Sequence, residues 1–335
     1  MHFAFTKLCC DQRKQMPWGT CFYDNLGKTS FLDPYDKIHL NSQERVIMPK
    51  TVQLAHSPDA DDIFMYFAIK FGWVNTKGYD FENIGLDIET LNVEAMKGTY
   101  DVSAISFGMY PLIKEEYALL RTAVSFGEGY GPKLIRQKEK KLKRNFRVAL
   151  SGKYTTNAML FRIYYPEARP VYMDFLEIEE AVVSGKVDAG VLIHESILDF
   201  DNSLEVEKEL WDIWVELAGE DLPLPLGGMA IRRSLPLTTA IDIENILIDG
   251  VKVANDKKEE LCTKLEADNL VRISDEMLTK YLDMYASDES VELSELQLKA
   301  LDILYELGFK HGLWNTKITT KDYLIPKEYE VLRNS

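Results

Sequence analysis

Cysteine is scarce in this sequence, with four residues in 335. Cys9, Cys10 and Cys21 lie within the first 21 positions, and Cys262 stands alone far downstream. A disulfide-stabilised secreted domain shows regularly spaced, even-numbered cysteines, and a structural zinc site shows CxxC or histidine pairs. Neither pattern is present, so we predict no disulfide framework, no metal site and a reducing compartment.

Long apolar runs are also missing, since none reaches the roughly 18 residues that a membrane-spanning helix needs. The N-terminus lacks a basic start, a sustained apolar stretch and a small-residue cleavage site. We therefore expect a protein that does not cross a membrane, is not exported by a signal peptide and acts in the cytoplasm.

The sequence has few basic residues relative to acidic ones: 39 Lys and Arg against 54 Asp and Glu, which gives a net charge of −15. Affinity for nucleic acid depends largely on neutralising phosphates with basic side chains. Nucleic acid and anionic membranes are thus excluded as expected partners. A small-molecule substrate fits better, and the sequence leaves the oligomeric state open.

What the sequence does have is a large apolar fraction, 46% of its residues. Residues 1–47 show no sustained period, and we predict that they form an extension outside the core, with Met48 as an alternative start. Beyond it, runs typical of strands (51–55, 85–91, 101–105, 146–150 and 187–193) alternate with helical patterns. This alternation predicts an α/β protein with parallel sheets.

Two interruptions divide the chain into two predicted lobes. The charged run at 138–144 ends the first series of elements, and the proline-rich stretch at 222–228 ends the second. We predict that residues 48–137 and 228–335 form lobe 1 and residues 138–227 form lobe 2, so that the chain crosses between lobes twice.

His194 is the most suggestive single residue, because it follows the apolar run 187–193. Ligands of open α/β sheets bind beyond the carboxyl ends of strands. There an imidazole can act as a general base, although a histidine at a strand end can equally be structural. The second histidine of a metalloprotease HExxH motif is absent.

Ser57 opens a second candidate segment, which follows the first strand and begins a helix. Backbone N–H groups at such a helix start can bind a ligand carboxylate. Alternatively, Asp61 or Asp62 merely caps the helix.

Three hydroxyl residues follow other predicted strands in the same way. Ser106 ends the run 101–105 but lacks a GxSxG nucleophile elbow. Thr155 and Thr156 belong to a Gly-Lys-Tyr-Thr-Thr segment that is not a P-loop, because the GxxxxGK[ST] spacing is missing. Either threonine can cap the next helix or contact a ligand.

Taken together and in order, these segments resemble one family, the 1,4-dihydroxy-6-naphthoate synthases. The resemblance covers roughly residues 51–233 and rests on Ser57-Pro58, Ser106, 127–132 (GEGYGP), 152–156 (GKYTT), 193–195 (IHE) and 222–227 (LPLPLG). Ordered agreement of this kind is more specific than any single motif.

The resemblance implies a two-lobed fold of the periplasmic-binding-protein type (type II). It also implies a lyase of the futalosine route to menaquinone, which converts cyclic dehypoxanthine futalosine into 1,4-dihydroxy-6-naphthoate. His194 would be the catalytic base, and Ser106 and Thr156 would contact the substrate. From their positions after strands, we add Ser57 and Thr155 to the predicted substrate-binding residues. No cofactor and no metal are implied.

One segment departs from the family pattern. The family commonly reads Ser-Pro-Cys-Pro-Asn-Asp-Thr-Phe, whereas this chain has Ser-Pro-Asp-Ala-Asp-Asp-Ile-Phe at 57–64. Extra carboxylates should weaken the binding of an anionic substrate unless they point away or a cation such as Lys153 compensates. The departure therefore bears on the substrate and leaves the predicted fold unchanged.

Two alternative functions stay open. The related chorismate dehydratases share the implied fold and pathway but lack the Ile-His-Glu strand end, so His194 favours the synthase. A solute-binding protein for a small carboxylate would have the same fold. The missing signal peptide argues against it.

Overall fold

The computed structural model describes residues 50–271, 275–286 and 288–328. The predicted extension at 1–47 lies outside these ranges. The described strands are β1 (Lys50–His56), β2 (Tyr79–Gly85), β3 (Val102–Ser106), β4 (Tyr117–Leu119), β5 (Ser125–Gly127), β6 (Lys133–Gln137), β7 (Arg147–Leu150), β8 (Arg169–Tyr172), β9 (Ala189–Leu192), β10 (Leu204–Glu209) and β11 (Leu224–Arg232).

α-Helices occupy half of the intervals between the described strands and most of the described chain after β11. They are α1 (Ala60–Lys70), α2 (Ile88–Lys97), α3 (Thr156–Tyr164), α4 (Ile178–Val183), α5 (Leu210–Ala218), α6 (Leu237–Asp256), α7 (Lys258–Ala267), α8 (Asp275–Tyr285) and α9 (Glu295–Lys310). Helix α9 starts with a capping box, in which Ser294 Oγ accepts from the N–H of Gln297 and the Gln297 side chain accepts from the N–H of Ser294.

The strands form two sheets, each the centre of one lobe. The first has the order β2-β1-β3-β11-β4, with β5 also paired to β11, and the second has the order β10-β6-β9-β7-β8. We call the first sheet with α1, α2 and α6–α9 the first lobe, and the second sheet with α3–α5 the second lobe. The predicted two-lobed α/β architecture is confirmed.

The chain crosses between the sheets twice, after β5 and before β11. Strand β6 pairs in the second sheet although it lies before residue 138, and β11 pairs in the first sheet although it starts before residue 228. The exact lobe boundaries at 137 and 227 remain a prediction.

The prediction of parallel sheets was wrong for one strand in each sheet. The β1–β2, β1–β3, β7–β8 and β7–β9 pairs are parallel, but β11 runs antiparallel to β3 and β6 runs antiparallel to β9. Both antiparallel strands directly follow a crossing between lobes. A strand that arrives in this way is not constrained by the crossover helix that a parallel connection needs.

The strand predicted at 85–91 was also wrong, because β2 ends at Gly85 and α2 begins at Ile88. Asp87 decides the local structure. Its side chain accepts hydrogen bonds from the N–H groups of Glu89 and Thr90, both at 3.1 Å, which is the N-cap arrangement that starts a helix.

Candidate active site

A cavity lies between the two sheets, where β1, β3, β7 and β9 end. Its volume open to the centres of water-sized molecules is about 90 Å³. All of the sequence-predicted site residues line it, namely Ser57, Ser106, Thr155, Thr156 and His194. The topology therefore brings these five side chains to one place, as expected for residues at the carboxyl ends of strands.

His194 occupies a strained backbone position at the end of the second-lobe strand β9. Its φ angle is 55°, in the left-handed region that few non-glycine residues adopt. Its ring nitrogen Nδ1 lies 2.9 Å from Oδ2 of Asp59, and the side chain is 17% exposed. Strained residues of this kind concentrate at functional sites.

The protonation of His194 is governed by two opposing effects. Burial lowers its pKa, but the Asp59 carboxylate, through its charge and its hydrogen bond, outweighs burial and raises the pKa to about 9. Glu195 and Asp61 add to this increase. At neutral pH the free protein thus holds an imidazolium facing a carboxylate.

The start of α1 differs from the prediction that Asp61 or Asp62 caps it. Asp59 is the N-cap residue and makes no side-chain capping bond. The N–H of Ala60 instead donates to Oε1 of Glu195 in the second lobe, at 3.1 Å. The Asp62 carboxylate accepts from the N–H of Ser57 at 2.8 Å.

These contacts argue against the alternative that a ligand carboxylate binds at the start of α1. The segment is already surrounded by the carboxylates of Asp59, Asp61, Asp62 and Glu195. Burial and the neighbouring charge of Asp59 raise the pKa of Asp61 to about 7. A further anion would add to this crowding of acidic groups, and the N–H of Ala60 is already bonded to Glu195.

Lys153, which could have compensated these carboxylates, does not line the cavity. Its side chain is exposed, and its Nζ lies 5.2 Å from the centre of the Tyr154 ring. Within the part of the chain that the structure describes, the lining includes no Lys or Arg. His194 therefore supplies the cation of this cavity.

Ser106 is held in place by a residue that the sequence analysis missed. The side chain of Asn92, fully buried on α2, donates to Ser106 Oγ at 3.0 Å and accepts from the Ser106 N–H at 2.9 Å. Because Oγ accepts this bond, its own proton can be donated to a ligand.

The hydroxyl groups of both threonines already form hydrogen bonds within the protein. Thr155 Oγ1 accepts from the N–H of Ala158 at 3.1 Å and caps α3. The Thr156 hydroxyl accepts from the N–H of Gly108 at 2.9 Å and donates to the carbonyl of Leu226 at 2.7 Å. Its proton is therefore used in a hydrogen bond between the two lobes.

Tyr281 and Tyr285 of α8 complete the lining and were also missed. The Tyr281 hydroxyl lies 3.3 Å from Oδ1 of Asp61, and burial raises the pKa of this tyrosine well above its ordinary value. Their i, i+4 spacing was the available signal, but it is equally typical of residues that pack in a core.

Neither a metal cluster nor a membrane span is found in the described ranges. No group of three or more His, Cys, Asp or Glu there could hold a metal ion. No helix in the same ranges is long and apolar enough to cross a membrane.

Two solved structures that are similar to this chain differ widely in sequence identity. A crystal structure of an Archaeoglobus fulgidus protein is 34% identical, has a TM-score of 0.72, and covers 79% of this chain and 98% of its own. The periplasmic aliphatic sulphonate binding protein of Escherichia coli is 11% identical, with a TM-score of 0.59 over 82% of this chain and 92% of its own. The latter similarity shows the fold alone.

Two curated relatives are named 1,4-dihydroxy-6-naphthoate synthase. The Thermus thermophilus protein is 28% identical over 265 residues, which cover 79% of this chain and 96% of the relative. The Streptomyces coelicolor protein is 28% identical over 271 residues, which cover 78% and 94%. A family model described as menaquinone biosynthesis matches residues 52–310, and this chain belongs to that menaquinone biosynthesis family.

Proposed function

We propose that this protein is a cytoplasmic 1,4-dihydroxy-6-naphthoate synthase, a lyase that releases the naphthoate from cyclic dehypoxanthine futalosine. The observation that carries the proposal is the position of His194, which lines the interlobe cavity at a strand end with Nδ1 bound to a buried carboxylate. Membership of the menaquinone biosynthesis family supports it.

The residues suggest a proton-transfer mechanism. With Nδ1 engaged, Nε2 of His194 is the ring nitrogen left to remove a proton next to a carbonyl or hydroxyl of the substrate. The Ser106 hydroxyl, oriented by Asn92, donates to the developing oxyanion. The carbon–carbon bond to the sugar-derived part then breaks, and the released fragment takes the proton back from His194. The ring that remains is the aromatic naphthoate, and aromatisation supplies the driving force.

The solute-binding alternative is disfavoured by the same cavity. Asp59, Asp61 and Asp62 line the cavity, so the carboxylate of a receptor's ligand or of the proposed substrate must lie away from the start of α1. The feature that separates the two functions is the pair of His194 and Asp59. Proton transfer uses a histidine held by a carboxylate, whereas the capture of a ligand alone does not require one.

The test is an assay on the purified full chain. Incubation with cyclic dehypoxanthine futalosine should yield the naphthoate, detected by its absorbance and mass. Chorismate serves as the parallel substrate, because its dehydration would identify the other pathway enzyme. Tight binding of a futalosine-derived compound without any turnover would instead favour the binding protein.

Closure of the two lobes is the second expected property of the site. Glu89 of the first lobe accepts hydrogen bonds from the N–H groups of Lys153 and Tyr154 in the second, at 2.8 and 3.0 Å. The two lobes also lie very close together at Gly108, because a Cβ added there would lie 2.9 Å from the Thr156 Cα. Such contacts form when hinged lobes close around a ligand.

We expect substrate or product to reduce the radius of gyration in small-angle scattering. Glu89→Ala should weaken ligand affinity about tenfold, because two charge-assisted bonds of the closed state are lost. Glu94→Ala is the matched control, since the Glu94 carboxylate bonds to Lys97 and Thr99 at its own helix end, within the first lobe. Equal affinities for the two variants, or an unchanged scattering profile at saturation, would contradict closure.

A further inference from the structure

Asp59 stands where the family pattern has cysteine, yet it makes the closest polar contact of the proposed base. From this geometry we propose that Asp59 is a positioning residue that acts through His194: it holds Nδ1 so that Nε2 serves as the proton acceptor. The inference rests on the proposed function, in which His194 is the base.

The ring of His194 is fixed from two sides. Oδ2 of Asp59 accepts from Nδ1 at 2.9 Å, which selects the tautomer that carries its proton on Nδ1. The Phe175 ring packs edge-on against the imidazole at a centroid distance of 4.9 Å. One contact sets the tautomer and the other restricts rotation of the ring.

Asp59 is itself held rigidly. Its side chain is 3% exposed, and the Ser57 hydroxyl donates to the same oxygen, Oδ2, that meets His194. A carboxylate constrained in this way orients its partner with little loss of freedom on binding. Asp59 and His194 are 135 positions apart and lie in different lobes, so the pair exists only when the lobes are together.

The other charged and titratable groups around His194 are carboxylates and a tyrosine. Asp61 and Asp62 come from α1, Glu195 is the next residue along the chain, and Tyr281 of α8 donates to Asp61. Among the acidic neighbours, Asp59 makes the direct contact with the imidazole. Its removal should therefore change the titration of His194 more than the removal of any other neighbour.

The direction of the pH effect follows from the raised pKa of His194, about 9. Below that pH the imidazole is protonated and cannot accept a proton, so kcat/KM of the wild type should rise with pH towards about 9. Without the Asp59 charge, burial dominates and lowers the pKa. The rise should then occur near pH 7.

The experiment compares wild type, Asp59→Asn and the charge-matched control Asp242→Asn, which lies at an exposed ion pair with Lys77. Histidine ¹⁵N NMR gives the titration of His194, assigned by its loss in a His194→Asn variant, and pH profiles of kcat/KM give the kinetic inflection. In Asp59→Asn, but not in the control, we expect the His194 pKa and the inflection of the kcat/KM profile to shift down by about two pH units. We also expect kcat/KM at high pH to be roughly tenfold lower than in the wild type. Asp59→Cys is the second variant if the first does not fold.

An unchanged His194 titration in Asp59→Asn would overturn the inference. A shifted titration with an unshifted kinetic inflection would overturn it too, because His194 would then not be the group through which Asp59 acts. Failure of the proposed function gives a different result: the wild type forms no naphthoate at any pH, while the NMR titration still measures the pairing.

Discussion

Replacing His194 with asparagine should lower turnover at least about 100-fold while changing ligand affinity by less than about tenfold. A general base contributes only in the transition state, so its loss leaves most ground-state contacts intact. Asparagine is the appropriate replacement because His194 has a φ of 55°, and asparagine tolerates this left-handed conformation better than alanine does. Steady-state kinetics and calorimetric binding, both at pH 9, measure the two quantities.

Ser106→Ala is the contrasting variant for this experiment. A hydroxyl that orients the substrate acts in both the ground and transition states, so its loss should reduce affinity and rate together. Near-normal turnover of His194→Asn would place the base elsewhere. The nearest other candidate would be Asp61, whose pKa is raised to about 7.

The largest expected effect on stability concerns Arg121, which lies just after β4. Its side chain contacts Glu244 of α6 at 2.9 Å, and its backbone N–H donates to the same carboxylate at 2.8 Å. Glu244 is 4% exposed. Arg121→Met leaves this carboxylate buried without its cation, which should lower the free energy of unfolding by about 3–5 kcal/mol.

Chemical denaturation at two pH values tests this prediction. Burial already raises the pKa of Glu244, and loss of Arg121 raises it further. A carboxyl group with a raised folded-state pKa costs stability as the pH rises, so the deficit should be larger at pH 8 than at pH 5. Lys77→Met, which breaks the exposed pair with Asp242, should cost less than about 1 kcal/mol. Equal losses in the two variants would contradict the assignment.

Much of the fold and part of the site were predictable from local sequence. Strand ends followed by polar residues located His194, Ser57 and Ser106 at one cavity, because the carboxyl ends of strands converge there. The order of motifs gave the family, which the comparisons confirm. These features depend on short segments whose periodicity or spacing is visible in the chain.

What the sequence could not reveal depends on contacts between distant segments. Asp59 was expected to disturb substrate binding, but the fold places it against His194. Asn92, which orients Ser106, lies on α2. The sequence pattern at 85–91 had predicted a strand where this helix begins. Strand β11 runs antiparallel to β3 because of the way the chain returns from the second lobe. The local periodicity of the sequence does not indicate this direction.

The hydrogen bonds between the lobes can also be followed by amide hydrogen exchange. The amides of Ala60, Gly108, Lys153 and Tyr154 each donate to an acceptor in the opposite lobe. These protons can exchange with solvent deuterium only when the lobes separate. Their protection factors therefore report the equilibrium between open and closed forms at four separate positions, without an added probe or a bound ligand.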